Sequence, residues 1–277
     1  MKVDLHLHSH HSDGVLSPTE LMQLAAARSV EWAALTDHDT TQGCAEAALA
    51  CERLGMRYTT GVEVTLSWRS QELHLIGLAL DCAHAELVTH LSEIRRLRRQ
   101  RLLEIGQRLQ RKSGLPAEAM CRTLCDDPLL HSPTRLHLAR ALVTAGHATD
   151  VADAFKRWLG RGQPGYAPIE WPGLEPTLRA LQAAGAVTVL AHPHRYKLSA
   201  GALRALLGEY CALGGSAMEV SIGGMSPNDL DRLATLARRF GLLASTGSDF
   251  HDPQTPWNPP GRFAKLPADL EHVAARL

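Results

Sequence analysis

Val3, Leu5 and Leu7 alternate with Asp4, His6 and His8, the period-two pattern of a strand with one apolar and one polar face. Ser17-Pro18-Thr19-Glu20 then opens a helix, with Ser17 as N-cap, Pro18 at the first helical position and Glu20 closing a capping box. A strand is predicted over 32–36, with Asp37-His38-Asp39 at its carboxyl end, and a helix over about 41–54, stopped by Gly55. Two strand-like runs, 57–66 and 73–80, bracket the polar turn 67–71. From about 83 to 171 helical periodicity dominates, and the arginines crowded into 95–111 read most simply as a solvated helix face. Strand–helix alternation resumes at Ala186, with a helix over 199–213, a strand over 217–221, a helix over 227–240 and a strand over 242–248.

Alternating β and α units imply a parallel sheet with right-handed crossovers. His, Asp and Glu residues are predicted at or just past the carboxyl ends of most of these strands. A (β/α) barrel collects its chemistry around such a ring, whereas an open doubly wound sheet uses one switch point, so the barrel is favoured.

Bulk properties narrow the function. A chain of 277 residues that is 45% hydrophobic fits one large α/β domain with a full core. Lys plus Arg and Asp plus Glu are balanced at 29 each, so no basic excess is available for wrapping duplex DNA; a nucleic-acid substrate would be short or held at one end. The first residues lack the apolar core of a signal peptide, and no uninterrupted apolar run is long enough to span a bilayer. Six scattered cysteines without a C-x-x-C pair read as reduced thiols. The expectation is a cytoplasmic protein without a membrane partner. Fifteen histidines against four phenylalanines direct attention to metal chemistry.

His6-x-His8 places two imidazoles about 7 Å apart on one strand face, and Asp249-x-His251 repeats the spacing at the end of the last strand. Asp13, His38, Glu63, His74 and His192 stand between them, Glu63, His74 and His192 each expected near a strand end. Nine such groups exceed the needs of one ion and suit two or three, with a carboxylate such as Glu63 as a bridge. Singly, each histidine is more simply a satisfied core or surface residue. Jointly, buried imidazoles and carboxylates are costly unless something pairs with them. His10, His11, His84, His90, His137, His147 and His272 carry no such pattern.

The segments DLHLHSHHSDG, LTDHD, GVEVT, ELHLIG, AHPHRY, EV and GSDFH resemble, in order and over essentially the whole chain, the motifs of the PHP (polymerase and histidinol phosphatase) superfamily. The AHPHRY run is similar to its TrpH/YciV branch. The resemblance implies a distorted (β/α)7 barrel from residues 1–82 and 172–277, with a helical insertion at 83–171. It also implies a centre of two or three divalent ions, Mn2+ foremost, with Zn2+ or Fe2+ as alternatives. His6, His8, Glu63 and Asp249 would hold the first ion, Glu63, His74 and His192 the second, and Asp13, His38 and His251 the third. The implied substrates are 3′,5′-nucleoside bisphosphates, cleaved to the 5′-monophosphate, and short RNA 5′ ends. The alternatives are a histidinol phosphate phosphatase and a non-catalytic metal-binding or polymerase-accessory domain.

A hydroxide held between two ions at the Glu63 site would attack phosphorus in line. His194 is the candidate acid for the leaving oxygen. Ser132 or Thr134 would bind a phosphate at a helix start with Arg135, against the plainer reading of an N-cap and a surface arginine. Arg195 and Tyr196 would point to the same mouth.

Overall fold

The computed structural model describes residues 1–254 and 257–277. Seven strands lie side by side in sequence order: β1 (Val3–Leu7), β2 (Trp32–Leu35), β3 (Arg57–Trp68), β4 (Gln71–Leu78), β5 (Val187–Leu190), β6 (Ala217–Ile222) and β7 (Leu243–Gly247). The sheet curls until its ends meet. Leu7 bridges Phe250, and the N–H groups of His8 and Asp249 donate to the carbonyls of Phe250 and His6 at 3.0 and 2.9 Å. The result is the expected barrel, distorted and nearly closed.

The sheet is not all parallel, as the alternation of elements had implied. β4 runs antiparallel to both β3 and β5. Arg69 and Ser70, the only residues between Trp68 and its partner Gln71, both have positive φ, 46° and 65°. That is the backbone signature of a two-residue hairpin, which leaves no chain for the crossover a parallel pair needs.

A second departure lies in β1. Leu5 packs among strand residues such as Trp32, Ala34 and Ile76, while Leu7 packs against Leu21 and Met22 of α1 (Pro18–Ala27). A register shift between Asp4 and Leu7 breaks the simple alternation, so the three apolar residues do not share one face. Ser17 and Glu20 form the predicted capping box of α1. Gly55 ends α2 (Cys44–Leu54) in the left-handed conformation.

The helical segment contains α3 (Ala85–Ser113), α4 (Ala117–Asp126), α5 (Arg135–Thr144) and α6 (Val151–Ala154), followed by a π-helical turn, Phe155–Leu159. Leu87, Leu91 and Ile94 of α3 belong to the barrel core, whereas Leu102, Ile105 and Leu109 belong to a separate core with Cys121 and Leu138. One long helix therefore serves two cores, and the stretch between them, 95–101, crosses the mouth of the barrel. Three helices complete the ring: α7 (Leu174–Ala183), α8 (Ala200–Ala212) and α9 (Pro227–Phe240). Among the described residues no helix is long and apolar enough to cross a membrane, and the six cysteines are free.

Candidate active site

Glu63, fully buried in the middle of β3, is the hub of the mouth. Its Oε2 lies 3.3 Å from His6 Nε2, 3.4 Å from His8 Nε2 and 3.0 Å from His38 Nδ1. Its Oε1 lies 3.0 Å from His74 Nδ1 and 2.9 Å from His192 Nε2. Asp249 Oδ1 faces His6 Nε2 and His8 Nε2, each at 3.3 Å. Asp13 Oδ1 faces His251 Nε2 at 3.2 Å, His38 Nε2 at 3.7 Å and His8 Nδ1 at 4.0 Å. All nine residues picked from the sequence thus converge. Glu63 and His74 do so from the interiors of β3 and β4 rather than from near strand ends, because β3 and its hairpin partner run on past the rim.

The donor chemistry fits divalent cations. His6 Nε2, both ring nitrogens of His8, Asp13 Oδ1, His38 Nδ1 and Glu63 Oε2 are buried without a hydrogen-bond partner, which is costly unless a further group binds them. Three overlapping groups have ligand atoms within 4.8 Å of one another: His8, Asp13, His38 and His251; His6, His8 and Glu63; and His38, Glu63 and His74. Nitrogen and carboxylate donors in these numbers suit Mn2+, Zn2+ or Fe2+.

Charge is distributed unevenly among the imidazoles. Burial, reinforced by His251 and His38, pushes His8 down to about 3. Burial also opposes charge on His38, but Glu63 and Asp13 outweigh it and raise that imidazole to about 9. Burial acts against ionised Asp13, Glu63 and Asp249 as well, yet the surrounding imidazoles, with Arg195 beside Asp249, hold all three well below the usual carboxylate range. A cation entering this site must displace the His38 proton. Loading the metal-free protein near neutrality should therefore release protons, seen as calorimetric heats that vary with buffer ionisation enthalpy. The His38 share of that release should vanish as pH rises through about 9. Equal heats in all buffers near neutrality would contradict the protonated His38.

The cluster is held from behind. Glu219 of β6 accepts from His6 Nδ1 at 2.8 Å and from the His192 backbone N–H at 2.6 Å, so it fixes the tautomer of one imidazole and the seat of another. His192 and Asp249 have φ of 29° and 53°, left-handed conformations tolerated where the surroundings impose them. Gly247 passes so close to His6 that an added Cβ would sit 2.3 Å from the histidine's own. Asp37 anchors the loop to Asp13 by accepting from Ser9 N–H and from the hydroxyls of Ser9 and Ser12, at 2.6–2.7 Å.

The remaining sequence candidates fare differently. Arg195 lies against Asp249 at the rim. Tyr196 does not face the mouth: its hydroxyl donates to Ala191 O at 2.7 Å and accepts from His74 N–H at 3.0 Å, clamping two strands. Burial, Arg195 and His192 push His194 down to about 4, leaving a neutral imidazole near pH 7. It is poorly suited to the acid role expected of it. Ser132 is sealed, its hydroxyl buried and its N–H donating to His11 O at 3.1 Å. Thr134 is the N-cap of α5 and lines a cavity with Arg135.

That cavity corrects the reading of the arginine-rich helix as a solvated face. Arg98 reaches inward to Asp39 Oδ2 at 2.5 Å and Thr65 Oγ1 at 2.6 Å. Arg101 pairs with Glu72 at 3.0 Å, and Arg135 approaches the same carboxylate at 3.6 Å. Burial would raise Glu72, yet Arg101 and Arg135 hold it at about 2. The three guanidinium groups and Thr134 surround about 170 Å³ beside His38, His74 and Asp13. A second, larger space of about 460 Å³ opens at Asp249 and His251, walled by Arg195, Gly224 and Trp257. The loop at 160–166, open in the sequence to reading as a lid or as an exit from the insertion, packs back on α3, with Arg108 donating to Tyr166 O at 2.8 Å.

A family model described as the PHP domain matches residues 4–122. Over 96% of this chain, and 92% of its own length, the 3′,5′-nucleoside bisphosphate phosphatase of Chromobacterium violaceum is 39% identical. The chain belongs to the PHP family. The 5′-3′ exoribonuclease Rnm of Escherichia coli is also 39% identical, over 98% of this chain and 92% of its own. A solved structure from Bifidobacterium adolescentis, assigned to the metal-dependent phosphoesterases, superimposes with a TM-score of 0.80 at 28% identity, covering 99% of this chain and 93% of the other. Two features of this PHP site escaped the sequence reading. Glu219 was visible only as the EV pair closing a strand, and the inward arginines only through the i, i+3 spacing of Arg95, Arg98 and Arg101 along one helix face.

Proposed function

We propose that this PHP chain is a metal-dependent phosphoesterase that removes the 3′-phosphate from nucleoside 3′,5′-bisphosphates. In this reading the nine converging residues hold two to three divalent ions, Mn2+ foremost, and segment 83–171 recognises the substrate. The observation that carries it is the arginine-lined cavity beside the cluster. About 170 Å³ is small against the roughly 300–1,000 Å³ of pockets that take whole ligands, but it suits a phosphate group. Arg98, Arg101 and Arg135 supply charge-assisted donors there. The phosphoryl group at the ions and the phosphate in this cavity would then be two groups of one molecule.

Bound ions supply Lewis-acid charge and a water of lowered pKa. The protein's own groups do the rest. Glu63 and Asp249 keep the imidazoles convergent, Arg195 adds donors at the rim for phosphoryl oxygens, and Glu219 holds His6 and His192 in place. Binding energy gathered at the remote phosphate orients the reacting one. Histidinol phosphate fits less well, because it has no second phosphate and would bring an ammonium group toward three arginines. A non-catalytic role leaves the complete ligand set and the second anion cavity without a purpose. Short RNA 5′ ends would use the same two contacts.

Incubating the metal-loaded protein with adenosine 3′,5′-bisphosphate tests the proposal. Adenosine 5′-monophosphate is the expected product. The 3′ isomer would reverse the binding mode, and preferential turnover of histidinol phosphate would move the activity to the rival.

A further inference from the structure

The three arginines of the small cavity are held in different ways. Arg98 commits its N–H groups to Asp39 and Thr65, and Arg101 to Glu72 and the Ala167 carbonyl, at 2.5–3.1 Å. Both also lie over the Trp171 ring, 5.5 and 5.6 Å from its centroid. Arg135 opens α5 directly after the N-cap. Among the described residues its guanidinium makes no hydrogen bond and has one carboxylate near it, Glu72 at 3.6 Å. Beneath it is the Phe155 ring, which lines the same cavity, with the guanidinium carbon 5.8 Å from the ring centroid. A ring face attracts the cation electrostatically and consumes none of its N–H donors.

Phe155 reaches that wall through an unusual backbone. It is the first residue of the π-helical turn Phe155–Leu159, which the Gly160 N–H closes by donating to the Phe155 carbonyl at 2.8 Å. Single wide turns of this kind are rare and recur at functional sites. An added Cβ on Gly160 would sit 2.7 Å from that carbonyl, so the turn needs glycine there. Leu159 is fully buried in the core of the insertion, and the Trp158 indole N–H donates to His147 O at 3.0 Å. The turn is thereby anchored from behind.

We propose that Phe155 is the positioning residue for Arg135, its ring holding the guanidinium at the cavity wall with the N–H groups left for a phosphate. The inference rests on the preceding reading that this cavity takes the phosphate remote from the ions. It divides the work among the arginines. Arg98 and Arg101 supply positive charge fixed by partners within the protein, and Arg135 supplies the fork of donors that closes on phosphate oxygens. A loose arginine would lose rotamer freedom on binding, and one already seated on a ring loses less. Phe155 itself touches no reacting atom.

Two substitutions on the metal-loaded full chain test this. Phe155→Leu keeps an apolar side chain against the insertion core and removes the ring face, whereas Phe155→Tyr keeps the ring; Phe155→Met serves if the leucine variant does not fold. For adenosine 3′,5′-bisphosphate, kcat/KM should fall about threefold to thirtyfold in Phe155→Leu and stay near the parent in Phe155→Tyr. The slower hydrolysis of adenosine 3′-monophosphate should be unchanged in both. In an Arg135→Ala background Phe155→Leu should cost nothing further, because the residue it positions is gone. An unchanged kcat/KM for the bisphosphate, equal losses on both substrates, or a full loss in the Arg135→Ala background would overturn the inference. Binding of adenosine 5′-monophosphate, followed by equilibrium dialysis, separates that failure from failure of the preceding reading. If the parent does not turn over the bisphosphate, the preceding reading is wrong. Binding that weakens in Phe155→Leu only while Arg135 is present would then still support the positioning role, and unchanged binding would overturn it.

Discussion

Glu63→Gln is expected to lower kcat by about a thousandfold or more and to lower metal content with it. The substitution preserves shape and removes one negative charge. That charge faces five imidazoles within 3.4 Å, two on Oε1 and three on Oε2, so an amide cannot serve both groups. Its NH2 would point donors at nitrogens that must themselves act as metal donors. Glu219→Gln gives the graded comparison. Glu219 touches His6 and the His192 backbone, not the centre of the cluster, and such outer partners are worth about 10–100-fold in affinity or activity. Metal analysis beside kinetics separates the two variants: Glu63→Gln should lose ions at saturating metal, while Glu219→Gln should need more metal to fill. If Glu63→Gln stayed within tenfold of the parent with full metal content, the hub assignment would be wrong.

The ligand set was legible because its chemistry is local. His6-x-His8 and Asp249-x-His251 declare themselves by spacing, and a buried acid such as Glu63 on an apolar strand has few other reasons to exist. The positions of the strands along the chain were legible in the same way. The direction of β4 follows from the same pattern: a five-residue polar turn between two strand runs leaves too little chain for a crossover. Glu219, Arg98 and Tyr196 were less accessible. Each acts through a partner far away in sequence, such as His6 for Glu219 or Asp39 for Arg98, and only the closed barrel brings the pairs together. An arginine-rich helix looks alike whether its charges meet water or an anion cavity. The same holds for Ser132 and Thr134, which share a loop but differ in whether the residue is sealed or lines the cavity.

Arg135→Ala is expected to lower kcat/KM for a nucleoside 3′,5′-bisphosphate by tenfold to a hundredfold, and to leave the much slower hydrolysis of the 3′-monophosphate almost unchanged. Of the three cavity arginines, Arg135 is the cleanest probe. Arg98 is committed to Asp39 and Thr65, so removing it would strand a buried carboxylate. The carboxylate that Arg135 approaches, Glu72, keeps Arg101 and the Trp171 indole N–H on its Oε2 at 3.0 and 2.8 Å, so the loss of Arg135 leaves that carboxylate paired. A charge-assisted contact to phosphate is worth roughly 1.5–3 kcal/mol, which sets the predicted range. The two substrates complete the cycle with the variant. If Arg135 binds the 5′-phosphate, deleting the phosphate and deleting the arginine remove the same interaction, and the second deletion adds little to the first. If Arg135 merely supports the fold of the insertion, both substrates should suffer by the same factor, and that result would return the arginine to a structural role. The penalty for the monophosphate should also appear in kcat as well as KM, because binding energy at the remote phosphate is spent on orienting the reacting one. A defect confined to KM would mean that the cavity holds the nucleotide without aligning it.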